Sequence, residues 1–304
     1  MYPRCADIVR AEVGNLLVEC FDGRLTWDAY AIAHWRMLRR LVFGDAARDQ
    51  EDVTDVLTEF RHEANWAYAF PPRNGRSARF RRRLDELVFA APTDSLAGTI
   101  RDAPVAGRDE IDPTGQIPQW LFAFDAVAVA ILRAPALLAA HPDALGGARA
   151  DIDDLDAGRS ARLPNLRAAL LESLRLWPTT LAILREAIRD VHWTGGVIPS
   201  GTTTVVLGEH FQRDDDAMDF ARRFAPEAWL DGRALGLAGV VPFADGPGEC
   251  PGRNVVMLFG SLVPAEICRD HEPSDDVLTP LVSGGAELPR SLNHFDLAIR
   301  LTKK

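Results

Sequence analysis

Pro242-Phe243-Ala244-Asp245-Gly246-Pro247-Gly248-Glu249-Cys250-Pro251-Gly252-Arg253 is the stretch on which the reading of this chain turns. It places a cysteine in a loop rich in Gly and Pro that opens directly into a helix predicted from about Gly252 to Arg269. Glycines allow backbone angles and close approaches that a side chain would block. The helix N-terminus directs amide groups and a positive dipole at the sulfur, which favours the thiolate over the thiol. The thiolate is the form that binds metal. A buried, inert cysteine is the competing reading of any such residue. We take it for Cys5, Cys20 and Cys268, whose surroundings carry no comparable signal.

Outward from this loop, composition sets the bounds. The chain has 304 residues, 47% of them hydrophobic and 26% charged, so it can bury a core and is not a disordered polymer. A net charge of -10 argues against nucleic acid as partner, because phosphate contacts need clustered positive charge. Lys303 and Lys304 are the only lysines, so arginine fills every other basic position and a single Arg in a motif carries less weight. The run Arg79, Arg81, Arg82 and Arg83 accordingly reads as a solvated helix face rather than a docking patch. The four cysteines have neither disulfide-framework nor zinc spacing, which implies a reduced, cytoplasmic setting. Met1 to Ala11 is too polar for a signal peptide. Trp120 to Ala140 is long and apolar enough to cross a bilayer, but Asp125, Arg133 and Pro135 within it count against that.

Hydrophobic periodicity predicts helices over Asp7 to Glu19, Trp27 to Phe43, Gln50 to Ala69 and Ser77 to Phe89, with a breaker at Pro71-Pro72-Arg73-Asn74-Gly75. Asp102 to Pro118 reads as loop. Pro118 to Ala140 is apolar all round and reads as a buried helix, which Pro135 should kink or break. Asp151 to Arg159 reads as an exposed acidic segment, and Asn165 to Trp177 as a helix stopped by Pro178. Val191 to Ile198, Pro199-Ser200-Gly201 and Thr202 to Leu207 read as strand, turn, strand. Leu292 to Leu301 alternates as a half-buried strand, with Phe295, Leu297, Ile299 and Leu301 on one side.

The cysteine loop resembles the ligand signature of the cytochrome P450 family, Phe-x-x-Gly-x-Arg-x-Cys-x-Gly. Phe243, Gly246, Cys250 and Gly252 match at the right spacing, and Gly248 stands where the family has a basic residue. The resemblance implies haem b (iron protoporphyrin IX) as cofactor, with Cys250 as axial ligand of the iron. In such proteins the thiolate pushes electron density to favour O–O cleavage. Phe243, Gly246, Gly248 and Gly252 would then border the cofactor.

Other segments extend the match. Glu172-Ser173-Leu174-Arg175 is similar to the family's buried Glu-x-x-Arg pair, whose role there is structural. Phe224-Ala225-Pro226-Glu227-Ala228-Trp229-Leu230 resembles Phe-x-Pro-Glu-Arg-Trp, but Ala228 replaces the Arg that would join Glu172 and Arg175. Arg222, Arg223 and His210 are the candidate replacements. Arg185, just ahead of the strand region, resembles a family Arg that contacts a haem propionate. Trp120-Leu121-Phe122-Ala123-Phe124-Asp125-Ala126 looks like the family's central helix, with Phe124 near its Gly, no Thr at the kink, and Asp125 either a proton relay or a solvent-facing or turn-capping carboxylate.

The expected fold is therefore mainly α with small β-sheets, one P450-like domain over residues 1–304 lacking the family's N-terminal sheet and first helices. The apolar faces which that part would cover are expected to be exposed, favouring an oligomer or a partner protein. The implied function is that of a haem-thiolate monooxygenase or peroxide-driven oxidase acting on a small organic, secondary-metabolite-type substrate. A ferredoxin or flavodoxin-type donor would supply electrons. The alternative is a catalytically inactive relative, a fragment or helper that binds another protein.

Overall fold

A computed structural model of the chain describes residues 2–20, 22–64, 74–104, 112–283 and 287–304. Its helices are α1 (Tyr2–Glu19), α2 (Trp27–Phe43), α3 (Asp52–Ala64), α4 (Asn74–Ala90), α5 (Leu96–Asp102), α6 (Ile117–Ala140), α7 (Pro142–Asp156), α8 (Pro164–Leu176), α9 (Gly208–Gln212), α10 (Glu227–Leu230), α11 (Arg253–Arg269) and α12 (Leu278–Ser283). The strands are β1 (Arg24–Thr26), β2 (Ala182–Glu186), β3 (Val191–Trp193), β4 (Gly196–Ile198), β5 (Thr203–Leu207), β6 (His271–Asp275) and β7 (Ala298–Lys303). The architecture is mainly helical with small sheets, as expected. Of the breaker expected at 71–75, Asn74 and Gly75 instead begin α4, while 71–73 and the end of the third predicted helix lie outside the described residues.

The apolar helix α6 is the axis of the core. Every residue from Ala130 to Leu138 is buried, and α2, α7, α8 and α11 pack around it. Pro135 does not break it: the helix runs unbroken to Ala140. Proline removes one backbone hydrogen bond, and packing of α2, α7, α8 and α11 around the helix offsets that loss. The same burial, 72% of its most apolar window, makes α6 a core helix of this fold although its length would cross a membrane.

Several expectations are corrected. Asp102 to Pro118 is not wholly loop, since α5 ends at Asp102 and α6 already begins at Ile117. Asp151 is not in an exposed acidic segment. It lies in α7, is 6% exposed, and accepts hydrogen bonds from Leu166 N (3.0 Å) and Asn165 Nδ2 (2.8 Å). It thus caps α8, whose own N-cap, Leu163, sits at φ +49° with no capping side chain.

The strand–turn–strand reading also misplaced its partners. Val191–Trp193 turns back on Gly196–Ile198 through Thr194-Gly195, while β5 pairs antiparallel with β2, Arg185 opposite Thr204. Gly196 suits this turn, since its φ of +135° is one that residues with a Cβ rarely adopt. Of Leu292 to Leu301 only the end is strand. Leu297 and Ile299 are buried, but Phe295 is 63% exposed in a 3-10 turn. β7 lies between β1 and β6 in an antiparallel sheet, with Leu25 opposite Ile299 and Pro273 opposite Leu301.

One buried polar cluster joins α2 to α6. His34 is 1% exposed; its Nε2 lies 3.0 Å from the Phe124 carbonyl and its Nδ1 3.1 Å from the Tyr30 hydroxyl. A carbonyl only accepts, so Nε2 carries the proton and Nδ1 accepts from Tyr30. Burial holds the imidazole neutral, its pKa lowered to about 4. The folded value lies below the ordinary 6.5, so the stabilisation is complete above pH 6.5 and is lost as pH falls toward 4. We expect His34→Gln, which can keep both bonds without titrating, to lose about 2 kcal/mol less than the parent between pH 7 and pH 4.5. Urea unfolding at the two pH values measures it, and equal losses in both proteins would remove His34 as the acid-sensitive group.

Candidate functional site

The cysteine loop is closed by its own backbone. Cys250 N donates to Phe243 O at 2.8 Å, Glu249 N to Gly246 O at 3.1 Å and Ala244 N to Val241 O at 3.0 Å. Gly246 N donates to Asp245 Oδ1, and Ala244 and Gly246 take φ of +59° and +63°. Gly246 carries this angle without cost, whereas Ala244 holds it against its Cβ. Arg253 N to Cys250 O and Val256 N to Gly252 O then start α11. Cys250 is half-buried, while Cys5, Cys20 and Cys268 are buried, and all four are free. Burial pushes the Cys5 and Cys268 thiols up to about 11 and about 12. Phe243 packs on the main core with the Arg253 guanidinium 5.9 Å over its ring. Open space lies beside Gly246 and Gly248, and a Cβ on Gly252 would meet only Cys250 Sγ, at 3.7 Å.

α11 is locked against the central helices. Phe259 stacks edge-on against Phe124 (5.9 Å) and His34 (5.6 Å). A Cβ on Gly260 would lie 2.4 Å from Leu170 of α8, so glycine permits this close crossing.

On α6 the structure separates residues the sequence left together. Phe124 points into the core, 6% exposed, against Phe259. Phe122, two residues earlier on α6, is 47% exposed. Gln119, Phe122, Ala123 and Ala126 form one open stripe, as i, i+3, i+4 and i+7 must. Asp125 lies on the flank of that stripe, 15% exposed, in an ion pair with Arg61 of α3. It is neither solvent-facing nor a turn cap, and α6 contributes no Ser or Thr. Arg185 lies in the exposed ribbon β2, its guanidinium donating to the neighbouring Leu184 carbonyl at 2.9 Å.

Glu172 and Arg175 are fully buried and paired, Nε to Oε1 2.7 Å and Nη2 to Oε2 2.9 Å. Arg175 also donates to the carbonyls of Gln212, Phe220, Ala221 and Arg223. The third partner of Glu172 is none of Arg222, Arg223 or His210. Arg222 pairs with Asp215 and Glu287, Arg223 faces Asp219 and Glu227, and the His210 ring stacks on Phe211. Instead Trp229 Nε1 donates to Oε1 at 2.7 Å and Ala225 N to Oε2 at 2.8 Å. Two neutral donors suffice because Arg175 already balances the charge. Trp229→Phe should cost about 1.5–3 kcal/mol, the usual worth of a hydrogen bond to a buried charged group. A urea midpoint shift at unchanged slope checks it, and no shift would mean water replaces the indole.

Residues 123–267, from the central helix through the cysteine loop into α11, match the family model for Cytochrome P450. The chain belongs to the cytochrome P450 family. Among curated relatives, it is 32% identical over 229 residues to pentalenene oxygenase of Streptomyces avermitilis, covering 71% of this chain and 43% of that protein. It is 28% identical over 209 residues to cyclooctat-9-en-7-ol 5-monooxygenase of Streptomyces melanosporofaciens, covering 63% of this chain and 46% of that protein. The chain thus spans less than half the length of these two relatives. The crystal structure of the cytochrome P450DA heme domain superposes with a TM-score of 0.78 at 17% identity, covering 100% of this chain and 73% of that one. The P450 fold is therefore shared along the whole chain.

Haem is the cofactor of the P450 family, and the residues here fit it. A half-exposed thiol at a helix start offers the ligand. Phe122, Leu181, Leu184 and Val241 offer exposed apolar surface, and Arg185 offers a guanidinium with no carboxylate partner among the described residues. Sequence reading missed Phe122, Arg61 and Trp229. Two of them reach the site only through tertiary contacts, and Phe122 is separated from Phe124 only by helical phase.

Proposed function

We propose that this P450 is a haem-thiolate oxidoreductase, a monooxygenase or peroxide-driven oxidase for a small apolar organic substrate. Cys250 carries the reading: it is a free, half-exposed sulfur at the head of α11, in a loop closed by backbone bonds. The named activities of the two Streptomyces relatives, on pentalenene and cyclooctat-9-en-7-ol, support an apolar substrate of that class. Haem b is the form proposed, and when bound it supplies one-electron and oxygen chemistry.

The chain's own residues have separate tasks in this reading. Cys250 ligates as thiolate. Phe243, Gly246, Gly248 and Gly252 shape the proximal side. Arg185 would hold a propionate, since its guanidinium suits a carboxylate. Phe122, Ala123 and Ala126, the open stripe of α6, would exclude water from the bound group, and Phe124 would support that stripe from the core. Asp125 accepts and returns a proton while Arg61 fixes its carboxylate. A ferredoxin or flavodoxin-type protein is the proposed electron donor, and the cytoplasm the proposed location.

The test is spectroscopic. The chain is expressed with haem supply, reduced and exposed to carbon monoxide, and a strongly red-shifted Soret band is expected. A second reading, a catalytically inactive relative whose task is to bind another protein, is favoured by the exposed ribbon around Leu181, Leu184, Val205 and Leu207. Failure to retain any haem would select it.

A further inference from the structure

Arg133 lies in the middle of α6, is 8% exposed, and has no carboxylate within ion-pair distance among the described residues. Its Nη1 donates to the Trp177 carbonyl at 3.1 Å and its Nη2 to the Leu292 carbonyl at 3.0 Å, while Nε has no partner. The guanidinium also lies 5.4 Å over the Trp177 ring. Burial without a compensating anion lowers its pKa to about 10, which still leaves it charged at neutral pH. A buried cation so placed is expensive, and α6 has apolar residues on every side of it.

The segment it grips has no ladder of its own. Residues 288–292 form neither helix nor strand, yet the carbonyls of Leu288, Pro289 and Leu292 are held by side chains. Arg213 donates to Leu288 O and Pro289 O, both at 2.8 Å, and Trp177 Nε1 donates to Pro289 O at 3.0 Å. Arg133 completes the set at Leu292 O. Buried backbone must be satisfied somewhere, and here two planar guanidinia and an indole replace a strand partner.

The place of this strap matters. Arg133 stands eleven residues after Phe122 and seven after Ala126, so all three leave α6 from one face. Helical side chains lean toward the N-terminus, which carries the guanidinium toward the open stripe. Trp177 leads through Pro178 into β2 and Arg185, and Leu292 leads to the exposed Phe295.

We propose that Arg133 is a positioning residue for the α6 face that carries Phe122 and Ala126, the face that would wall the substrate slot in the haem-thiolate reading. It holds the turn after α8 and the strap 288–292 at fixed spacing from α6, and so limits the size of what enters. The identity of the slot's contents rests on the haem-thiolate reading; the spacing does not.

The test compares the parent chain with Arg133→Met and Arg133→Lys. Hydrogen exchange is expected to quicken by about tenfold in residues 290–296 and 178–186 of Arg133→Met, with residues 168–174 of α8 unchanged. Lysine, which reaches one carbonyl at a time, should give a smaller rise in the same segments. In the haem-loaded protein, discrimination between imidazole and 4-phenylimidazole is expected to shift by about threefold in favour of the larger probe. Unchanged exchange in the strap, or one common rise including α8, would overturn the proposal. So would azole constants that move by the same factor. If the chain holds no haem, the exchange result alone decides, and it is the haem-thiolate reading that fails.

Discussion

Cys250→Ala is expected to abolish the red-shifted carbon monoxide band of the reduced, haem-supplied protein while leaving the fold intact. The loop around residue 250 is closed through backbone atoms, Cys250 N to Phe243 O and Glu249 N to Gly246 O, so alanine removes the sulfur without opening it. No other cysteine is placed to substitute. Cys5 and Cys268 are buried, with thiol pKa values pushed up to about 11 and about 12, and buried Cys20 is raised in the same direction. Because residue 250 is half-exposed and makes no core contact of note, urea stability should change by less than about 0.5 kcal/mol. Cys250→Ser keeps the shape of the side chain and should lose the band equally. A band that persists in either variant would mean the iron is held elsewhere.

The second large effect belongs to the buried pair in α8. Arg175→Met should destabilise the chain by about 3–5 kcal/mol, because Glu172 is left charged and dry with only Trp229 and Ala225 as donors. Four backbone carbonyls between Gln212 and Arg223 lose their donor in the same step. Glu172→Gln should cost less than Arg175→Met, since the amide oxygen can still accept from the indole. The consequence reaches the cysteine loop through packing: Phe220, Trp229 and Val240 share one apolar cluster, and Val240 lies two residues before Pro242. Equilibrium unfolding in urea gives the cost, and the fraction of haem-thiolate spectrum retained gives the link to the loop. A cost below about 1 kcal/mol for Arg175→Met would show that solvent reaches the pair.

Much of the site was legible because its signals are local. Gly and Pro around Cys250, the Glu172–Arg175 spacing and the apolar run into α6 each depend on a few adjacent residues. What was misread depended on distance. The sequence offered three charged candidates for the partner of Glu172 because the family uses a charge there. The indole of Trp229 takes the place because the Phe220–Trp229 segment folds back over α8. Pro135 looked like a breaker because intrinsic propensity disfavours it; α6 continues because tertiary packing outweighs one missing hydrogen bond. β2 went unnoticed because its partner, β5, lies beyond an intervening hairpin.

The amino-acid sequence by itself determined the P450 loop, the buried pair and the apolar axis, since each is encoded in spacing along one element and needs no distant partner. Only the tertiary structure decided that Phe122 rather than Phe124 faces outward, that Arg61 holds Asp125, and that Arg133 clasps two remote carbonyls. Those are choices among helix faces and chain crossings, and their energies arise from groups up to 159 positions apart that meet only when the core has closed.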